Sequence, residues 1–155
     1  EAYGDIAEVP PGEFDVITLF HVFEHLTDPL YLLEIAYDKL RAGGKIIIEV
    51  PHARDFLFAY LDLEEFKEFT FWSEHLVLHN RRSLAAFLDR ANFRNTVISG
   101  FQRYNLANHL HWLKEKKPGG HINWGMLSTE QLDGAYSNML QSIDMTDTLI
   151  AVAEK

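Results

Sequence analysis

Two apolar runs at the spacing of a strand–helix–strand unit constrain the fold of this chain most strongly. The first run, Phe14–Phe20, is almost unbroken, and the second, Lys45–Val50, is rich in β-branched residues. Continuous apolar runs of this length are typical of parallel strands that are covered on both faces. Parallel neighbours need a crossover connection, and the segment between the two runs has the length of one helix. The sequence therefore predicts an α/β fold with a parallel sheet, in which Phe14–Phe20 is a central strand.

The connecting helix carries its own start and stop signals. Asp28 or Thr27 is placed to cap it, and Pro29 occupies the first helical position, where a missing N–H costs nothing. The glycine pair at 43–44 predicts its end through a left-handed cap.

Three titratable residues, His21, Glu24 and His25, directly follow the first strand. In open α/β sheets, ligands bind just outside the carboxyl ends of the strands. A neutral imidazole can accept a proton near pH 7, so His25 is a candidate general base, and Glu24 would orient it or bind a substrate hydroxyl. The structural alternative is a packed histidine beside a carboxylate that stabilises a helix start.

The composition of the chain limits the classes of molecule that it is expected to bind. The chain has 155 residues, enough for one domain, and its formal net charge of −9 argues against a nucleic-acid partner. It has no cysteine, which suits a reducing, cytoplasmic location, and it has no apolar stretch long enough to predict a membrane span. We therefore expect a small-molecule substrate.

The second half predicts two further strands and a large connection. Residues 55–79 are aromatic and irregular and would cover the sheet edge, and Ser83 would cap a short helix after them. Ser128 and Gln131 predict a capping box for a helix over 129–142. The strands are expected at Thr96–Phe101 and Thr148–Ala153, with residues 102–147 as an insertion between them.

The 39 residues from Phe14 to His52, FDVITLFHVFEHLTDPLYLLEIAYDKLRAGGKIIIEVPH, resemble the later half of class I S-adenosylmethionine-dependent methyltransferases. The likeness is to the small-molecule branch with a Glu-His pair after the fourth strand. That family has a Rossmann-like three-layer sandwich with strand order 3-2-1-4-5-7-6 and an antiparallel last strand. The resemblance implies strands equivalent to 3-4-5-7-6 here, with the third at Ala2–Tyr3 and residues 1–155 as one domain portion.

The family's glycine-rich cofactor loop has no counterpart, because no G-x-G occurs in the sequence. The expectation is therefore a C-terminal portion of a methyltransferase domain. A non-catalytic Rossmann-like binding or dimerisation module is the alternative, and the sequence upstream of Glu1 would separate the two.

The resemblance implies roles for residues outside the Glu-His pair. Asp5 and Ile6 would meet the adenine of S-adenosylmethionine, and Phe20 and His21 would contact the cofactor at the end of the fourth strand. The substrate is expected to be a small polar metabolite, with a sugar or sugar nucleotide as the first expectation. Its candidate ligands lie after the fifth strand, in the aromatic segment and in the 102–147 insertion, where the family also builds dimer contacts. They are His52, His75, Arg103, Tyr104 and His109.

A divalent metal is the rival interpretation of the same cluster. His21, Glu24 and His25 share one face if the turn is helical, and His75 or His79 could complete the ligand set. The family's metal-binding members carry Glu where this chain has His21, which disfavours a hard cation. We therefore expect no metal, and we keep a metal-assisted methyltransferase as an alternative.

Overall fold

The computed structural model describes residues 4–72 and 74–155, apart from the side chain of residue 72. Its described strands form one four-stranded sheet in the order β1-β2-β4-β3. β1 and β2 are parallel, and β4 is antiparallel to both β2 and β3. The strands are β1 (Phe14–Phe20), β2 (Leu40–Pro51), β3 (Arg94–Phe101) and β4 (Thr148–Glu154).

The sheet confirms the predicted fold class. Its order and directions match strands 4-5-7-6 of the expected arrangement. The remaining predicted strand, Ala2–Tyr3, lies outside the described residues.

Helices and short turns connect the strands. Six α-helices occur in the described ranges: α1 (Pro29–Lys39), α2 (Glu64–Trp72), α3 (Arg81–Arg90), α4 (Leu106–Glu115), α5 (Gly120–Asn123) and α6 (Glu130–Ser142). Single 3₁₀ turns lie at Ile6–Glu8, Phe23–His25 and Gly125–Leu127, and a short π-helix spans Phe56–Tyr60. Residues 102–147, between β3 and β4, thus contain α4, α5 and α6. Within the described residues, every helix is too short or too polar to cross a membrane.

The helices begin close to where the sequence predicts, but two of the three predicted capping residues differ. Asp28 caps α1 as predicted and accepts a hydrogen bond from the Tyr31 N–H at 3.1 Å. Asn80 rather than Ser83 caps α3, and Ser83 is the reciprocal partner in its capping box. Thr129 caps α6, whereas the Ser128 hydroxyl donates to Asp133, so the capping box predicted at Ser128 is wrong.

Gly43 and Gly44 do not form the predicted helix cap. α1 ends at Lys39, and Leu40 already has extended backbone. Gly43 has φ +76 inside β2, and a Cβ on Gly44 would lie 2.9 Å from the carbonyl oxygen of Arg41. The pair therefore allows the irregular backbone near the start of β2. Glycine adopts such backbone angles more easily than other residues do.

The main core lies between the sheet and two helices. Ile46, Ile48 and Val50 of β2 are fully buried and belong to one cluster with Leu33 of α1 and Leu84 of α3. A second cluster, Leu57, Leu63 and Trp112, joins the π-helix segment to α4. This second cluster supports the segment that covers the carboxyl edge of the sheet.

β1 differs from the expected central strand. It is the edge strand of the sheet that the described residues form. Leu19 is buried, but Val16 and Phe20 are about half exposed, at 48% and 53%. The apolar run correctly predicted a strand, whereas the coverage of its faces depends on neighbours that a local pattern does not report.

Candidate active site

The chain turns sharply where β1 ends. His21 adopts a left-handed backbone conformation, with φ +52, and the 3₁₀ turn Phe23–His25 follows. The backbone carbonyl of Glu24 accepts hydrogen bonds from the N–H groups of Leu76 (2.9 Å) and Val77 (3.3 Å). This turn therefore holds residues 74–77, which belong to the predicted covering segment, against the end of β1.

The side chain of Glu24 is fully buried among three imidazoles. Its Oε1 atom lies 3.3 Å from His21 Nδ1, 3.8 Å from His25 Nε2 and 3.9 Å from His75 Nε2. None of these contacts has hydrogen-bond geometry, so both carboxylate oxygens are buried without a hydrogen-bond partner among the described residues. A buried carboxylate is costly unless a cation balances it. The cluster is thus arranged to stabilise positive charge on a neighbouring imidazole.

The hydrogen bond of His25 defines its tautomer. His25 Nδ1 lies 3.0 Å from the backbone carbonyl oxygen of Glu74. Because a carbonyl oxygen only accepts, Nδ1 carries the proton and Nε2 keeps a lone pair. Nε2 is the nitrogen on the side of Glu24, and the His25 side chain is 36% exposed. His25 therefore places Nε2 beside the buried carboxylate of Glu24.

A second carboxylate links this cluster to β3. His21 Nε2 lies 3.2 Å from Glu49 Oε1, and the guanidinium of Arg103 forms an ion pair with the same oxygen. Glu49 is at the end of β2, and Arg103 follows β3. The ends of three strands are thus connected through charged side chains.

A cavity of about 210 Å³ opens at this edge. All five residues predicted to bind substrate line it, together with His21. The five are His52, His75, Arg103, Tyr104 and His109. Glu24 and His25 are not among the lining residues, but the His25 ring packs on that of His75, which is one of them, with centroids 4.9 Å apart.

The predicted adenosine residues lie outside the cavity lining. Asp5 is exposed and caps the Ile6–Glu8 turn by accepting from the Ala7 N–H at 2.8 Å. Ile6 packs against the main core, and the Phe20 ring is exposed at the end of β1. Their roles toward a cofactor stay predictions.

Aromatic rings form the apolar wall of the cavity. Phe58, Phe66 and Phe69 come from residues 55–79, and Trp112 comes from α4. Phe66 and Trp112 meet edge to face, with ring centroids 5.1 Å apart. The aromatic segment does therefore cover the carboxyl edge of the sheet, in agreement with the sequence.

Burial keeps the cavity imidazoles neutral. It lowers the pKa of His52, whose Nδ1 donates to the carbonyl of Thr146 at 3.0 Å. It also lowers the pKa of His75, although nearby Glu24 opposes this effect. Burial lowers the pKa of His109 to about 4, and its Nδ1 lies 2.7 Å from the Tyr136 hydroxyl. At neutral pH these rings therefore offer hydrogen bonds rather than positive charge.

Two carboxyl groups of the cavity were not predicted. Asp147 accepts hydrogen bonds from the backbone N–H groups of Arg103 (3.0 Å) and Tyr104 (2.9 Å), and so fixes the loop that brings both side chains to the cavity. Asp55 caps the π-helix by accepting from the Phe58 N–H at 2.9 Å, and burial raises its pKa to about 7.

A positional signal was available for both acids. Asp55 follows β2 by four residues, and Asp147 directly precedes β4. Because β4 is antiparallel, its start lies at the carboxyl edge of the other strands, where ligands bind in α/β sheets.

Comparison with known proteins agrees with this architecture. The sequence profile of the methyltransferase domain family matches residues 2–98. A ubiquinone biosynthesis O-methyltransferase of Pseudomonas paraeruginosa is 30% identical over 61 residues, which are 38% of this chain and 26% of that protein. This chain thus matches only about a quarter of the length of that relative.

Solved structures show the same fold. An S-adenosylmethionine-dependent methyltransferase from Archaeoglobus fulgidus superposes with a TM-score of 0.61 at 18% identity, over 99% of this chain and 66% of that one. A phosphoethanolamine N-methyltransferase of Haemonchus contortus in complex with S-adenosylmethionine gives 0.56 at 20% identity, over 97% and 36%. At these identities the likeness extends to the fold alone.

The family match covers more than half of the chain, so the chain belongs to the methyltransferase domain family. The sheet order agrees with the fold of the S-adenosylmethionine-dependent methyltransferase on which the chain superposes.

The burial of Asp55 predicts a pH-dependent stability. Because its pKa is raised from 3.8 to about 7, the folded protein holds this proton more tightly than the unfolded chain. The associated stability is present at low pH and is lost as pH rises through 7. Between pH 5 and pH 8 the wild type should lose on the order of 2–3 kcal/mol that Asp55→Asn does not lose. Urea unfolding of both proteins at the two pH values measures the difference.

Asp62→Asn is the matched control for that measurement. It removes the same charge seven residues further on, from a side chain that is 78% exposed, and should follow the wild-type profile. Parallel profiles for wild type and Asp55→Asn would show that the Asp55 carboxyl is not buried as described.

Proposed function

We propose that this chain forms the C-terminal part of a methyltransferase domain that transfers a methyl group from S-adenosylmethionine to a small polar metabolite. A sugar or sugar nucleotide is the proposed acceptor class. The observation that carries the proposal is the cavity at the carboxyl edge, where aromatic rings and neutral imidazoles meet beside the Glu24–His25 pair. Rings of this kind suit stacking on a sugar, and the imidazoles suit hydrogen bonds to hydroxyl groups.

The proposed cofactor contacts are Asp5, Ile6, Phe20 and His21. The exposed carboxylate of Asp5 is suited to accept a hydrogen bond from an adenine amino group, with Ile6 beside it in the chain. The exposed ring of Phe20 offers a flat apolar surface, and His21 lines the cavity. These groups suit the adenosine half of the cofactor. When bound, S-adenosylmethionine supplies a methyl group activated by its sulfonium.

His25 would serve as the general base in the proposed reaction. His25 would take the proton that the acceptor must lose when it is methylated. The proton of the acceptor passes to Nε2 of His25, and the buried Glu24 carboxylate stabilises the resulting imidazolium. Correct positioning of the acceptor in the cavity should contribute more than this proton transfer.

Substitution of His25 tests the proposed base. His25→Asn keeps an N–H donor for the Glu74 carbonyl but has no basic nitrogen. In the enzyme with its complete cofactor site, we expect turnover to fall by about 10²- to 10⁴-fold, with substrate KM nearly unchanged. Steady-state kinetics with a panel of sugar and sugar-nucleotide acceptors provide the measurement.

Glu34→Gln on the exposed side of α1 is the control for that assay and should leave turnover unchanged. Normal turnover in His25→Asn would refute the catalytic role and leave His25 as a packing residue. A complete absence of methyl transfer by the wild type would favour the alternative, a non-catalytic binding module.

A metal-assisted methyltransferase is the second candidate, because one observation favours it. The potential ligand atoms of Glu24, His25 and His75 all lie within 4.8 Å of one another. The buried Glu24 oxygens lack a hydrogen-bond partner among the described residues. The Nδ1–H of His25 also donates a hydrogen bond to a backbone carbonyl, as the non-ligating ring nitrogen of metal-bound histidines commonly does. Two imidazoles and one carboxylate suit Zn²⁺ better than Mg²⁺.

Zinc titration distinguishes the two candidates. If the second is correct, the protein should bind one Zn²⁺ tightly in calorimetry, and His75→Asn should weaken binding by about 10-fold or more because one of three ligands is lost. His111→Asn, which changes an imidazole outside the cluster, is the control. The base mechanism predicts no stoichiometric Zn²⁺ binding and no effect of a chelator on turnover.

The cytoplasmic location, the homodimer and the lack of a nucleic-acid partner stay predictions. A homodimer through residues 102–147 is supported by exposed apolar side chains there, such as Ile122 and Met126.

A further inference from the structure

Building on the proposed function, we infer that the small molecule bound in the cavity carries a protonated amino group, which pairs with the carboxylate of Asp55. Within the proposed acceptor class, this selects amino sugars over neutral sugars. The inference concerns recognition and leaves the methylated atom open.

Asp55 is rigidly presented to the cavity. Asp55 is one of the residues that line the cavity, and it is only 4% exposed. One carboxylate oxygen accepts the Phe58 N–H at 2.9 Å, which fixes the side chain at the start of the π-helix. Leu57, on the same short helix, is fully buried in the second cluster, so the helix itself is anchored.

Asp55 lacks a balancing cation among the described residues. The charged side chain that acts on it is another acid, Asp147, which together with burial raises the pKa of Asp55. Asp147 is itself satisfied by the backbone N–H groups of Arg103 and Tyr104 and by the Gln102 side chain. The charged form of Asp55 is therefore stabilised by backbone N–H groups, but by no cation among the described residues.

Arg103 and His109, two basic residues that line the cavity, do not balance the charge of Asp55. Arg103 pairs with Glu49. His109, which shares the cavity with Asp55, has its pKa lowered to about 4 by burial and is neutral at pH 7. A ligand ammonium would thus supply the missing positive charge, and its attraction to the carboxylate is stronger than in water because Asp55 is only 4% exposed.

The aromatic wall favours the same ligand class. Phe58 lies on the π-helix that Asp55 caps, and Phe66, Phe69 and Trp112 complete the wall. Ring faces attract ammonium groups, and they also bury the apolar body of a ligand. A neutral hydroxyl in place of the ammonium would leave the Asp55 charge unpaired or force its protonation.

A pair of nearly isosteric probes tests the inference without the cofactor. Benzylamine and benzyl alcohol differ in one polar group, and their binding to the full chain can be measured by ligand-detected NMR at pH 8. We expect benzylamine to bind roughly 10- to 100-fold more tightly than benzyl alcohol, as for a hydrogen bond to a charged group. Asp55→Asn and Asp55→Ser should abolish this preference, because neither side chain carries a charge that can pair with the ammonium.

Both variants keep an oxygen that can cap the π-helix, so the fold should be retained and can be verified by circular dichroism. Asp62→Asn removes an exposed charge and should keep the wild-type preference. Equal affinities for the two probes in the wild type, or a preference that survives in both Asp55 variants, would overturn the inference. Methyl transfer is not part of this assay, so a failed amine preference leaves the proposed activity intact, and a failed His25 experiment leaves the amine site intact.

Discussion

A single buried carboxylate, that of Glu24, organises the carboxyl edge of this sheet. Its side chain has no exposed surface and is surrounded by the imidazoles of His21, His25 and His75. Its backbone carbonyl holds residues 76 and 77. The same residue thus provides the charge that can stabilise a protonated base and the main-chain contact that attaches the aromatic segment to β1. Removing a carboxylate from water costs free energy, so neighbouring groups must compensate its charge.

The opposite side of the cavity depends on a second acid. Asp147 orders the loop after β3 through two backbone N–H groups, and Arg103 from that loop reaches Glu49. Glu49 also contacts His21, so the two sides of the cavity are connected through charged groups. Asp55 differs from these acids because no cation of the described chain balances it. This difference is why we assign it to the ligand rather than to the framework.

The sequence predicts those features correctly that depend on a few neighbouring residues. It predicts less well those that depend on tertiary contacts. The Asp28-Pro29 pair and the β-branched run of β2 predicted their elements because capping and strand preference act over a few residues. Asn80 and Thr129 displaced the expected serine caps, since several polar residues close together can all cap a helix. The structure brings all five candidate substrate ligands to one cavity, whereas Asp55 was not predicted, because burial is not visible in sequence.

The proposed reaction requires that His25 presents a basic Nε2 beside the buried Glu24 carboxylate. Long-range ¹H–¹⁵N NMR of the histidine rings, assigned by His25→Asn, reports the protonation of each ring nitrogen. Our account predicts that neutral His25 carries its proton on Nδ1, hydrogen-bonded to the Glu74 carbonyl, with Nε2 unprotonated. A neutral His25 protonated on Nε2 would contradict this prediction, because Nε2 could then not take a proton from the substrate atom that is methylated.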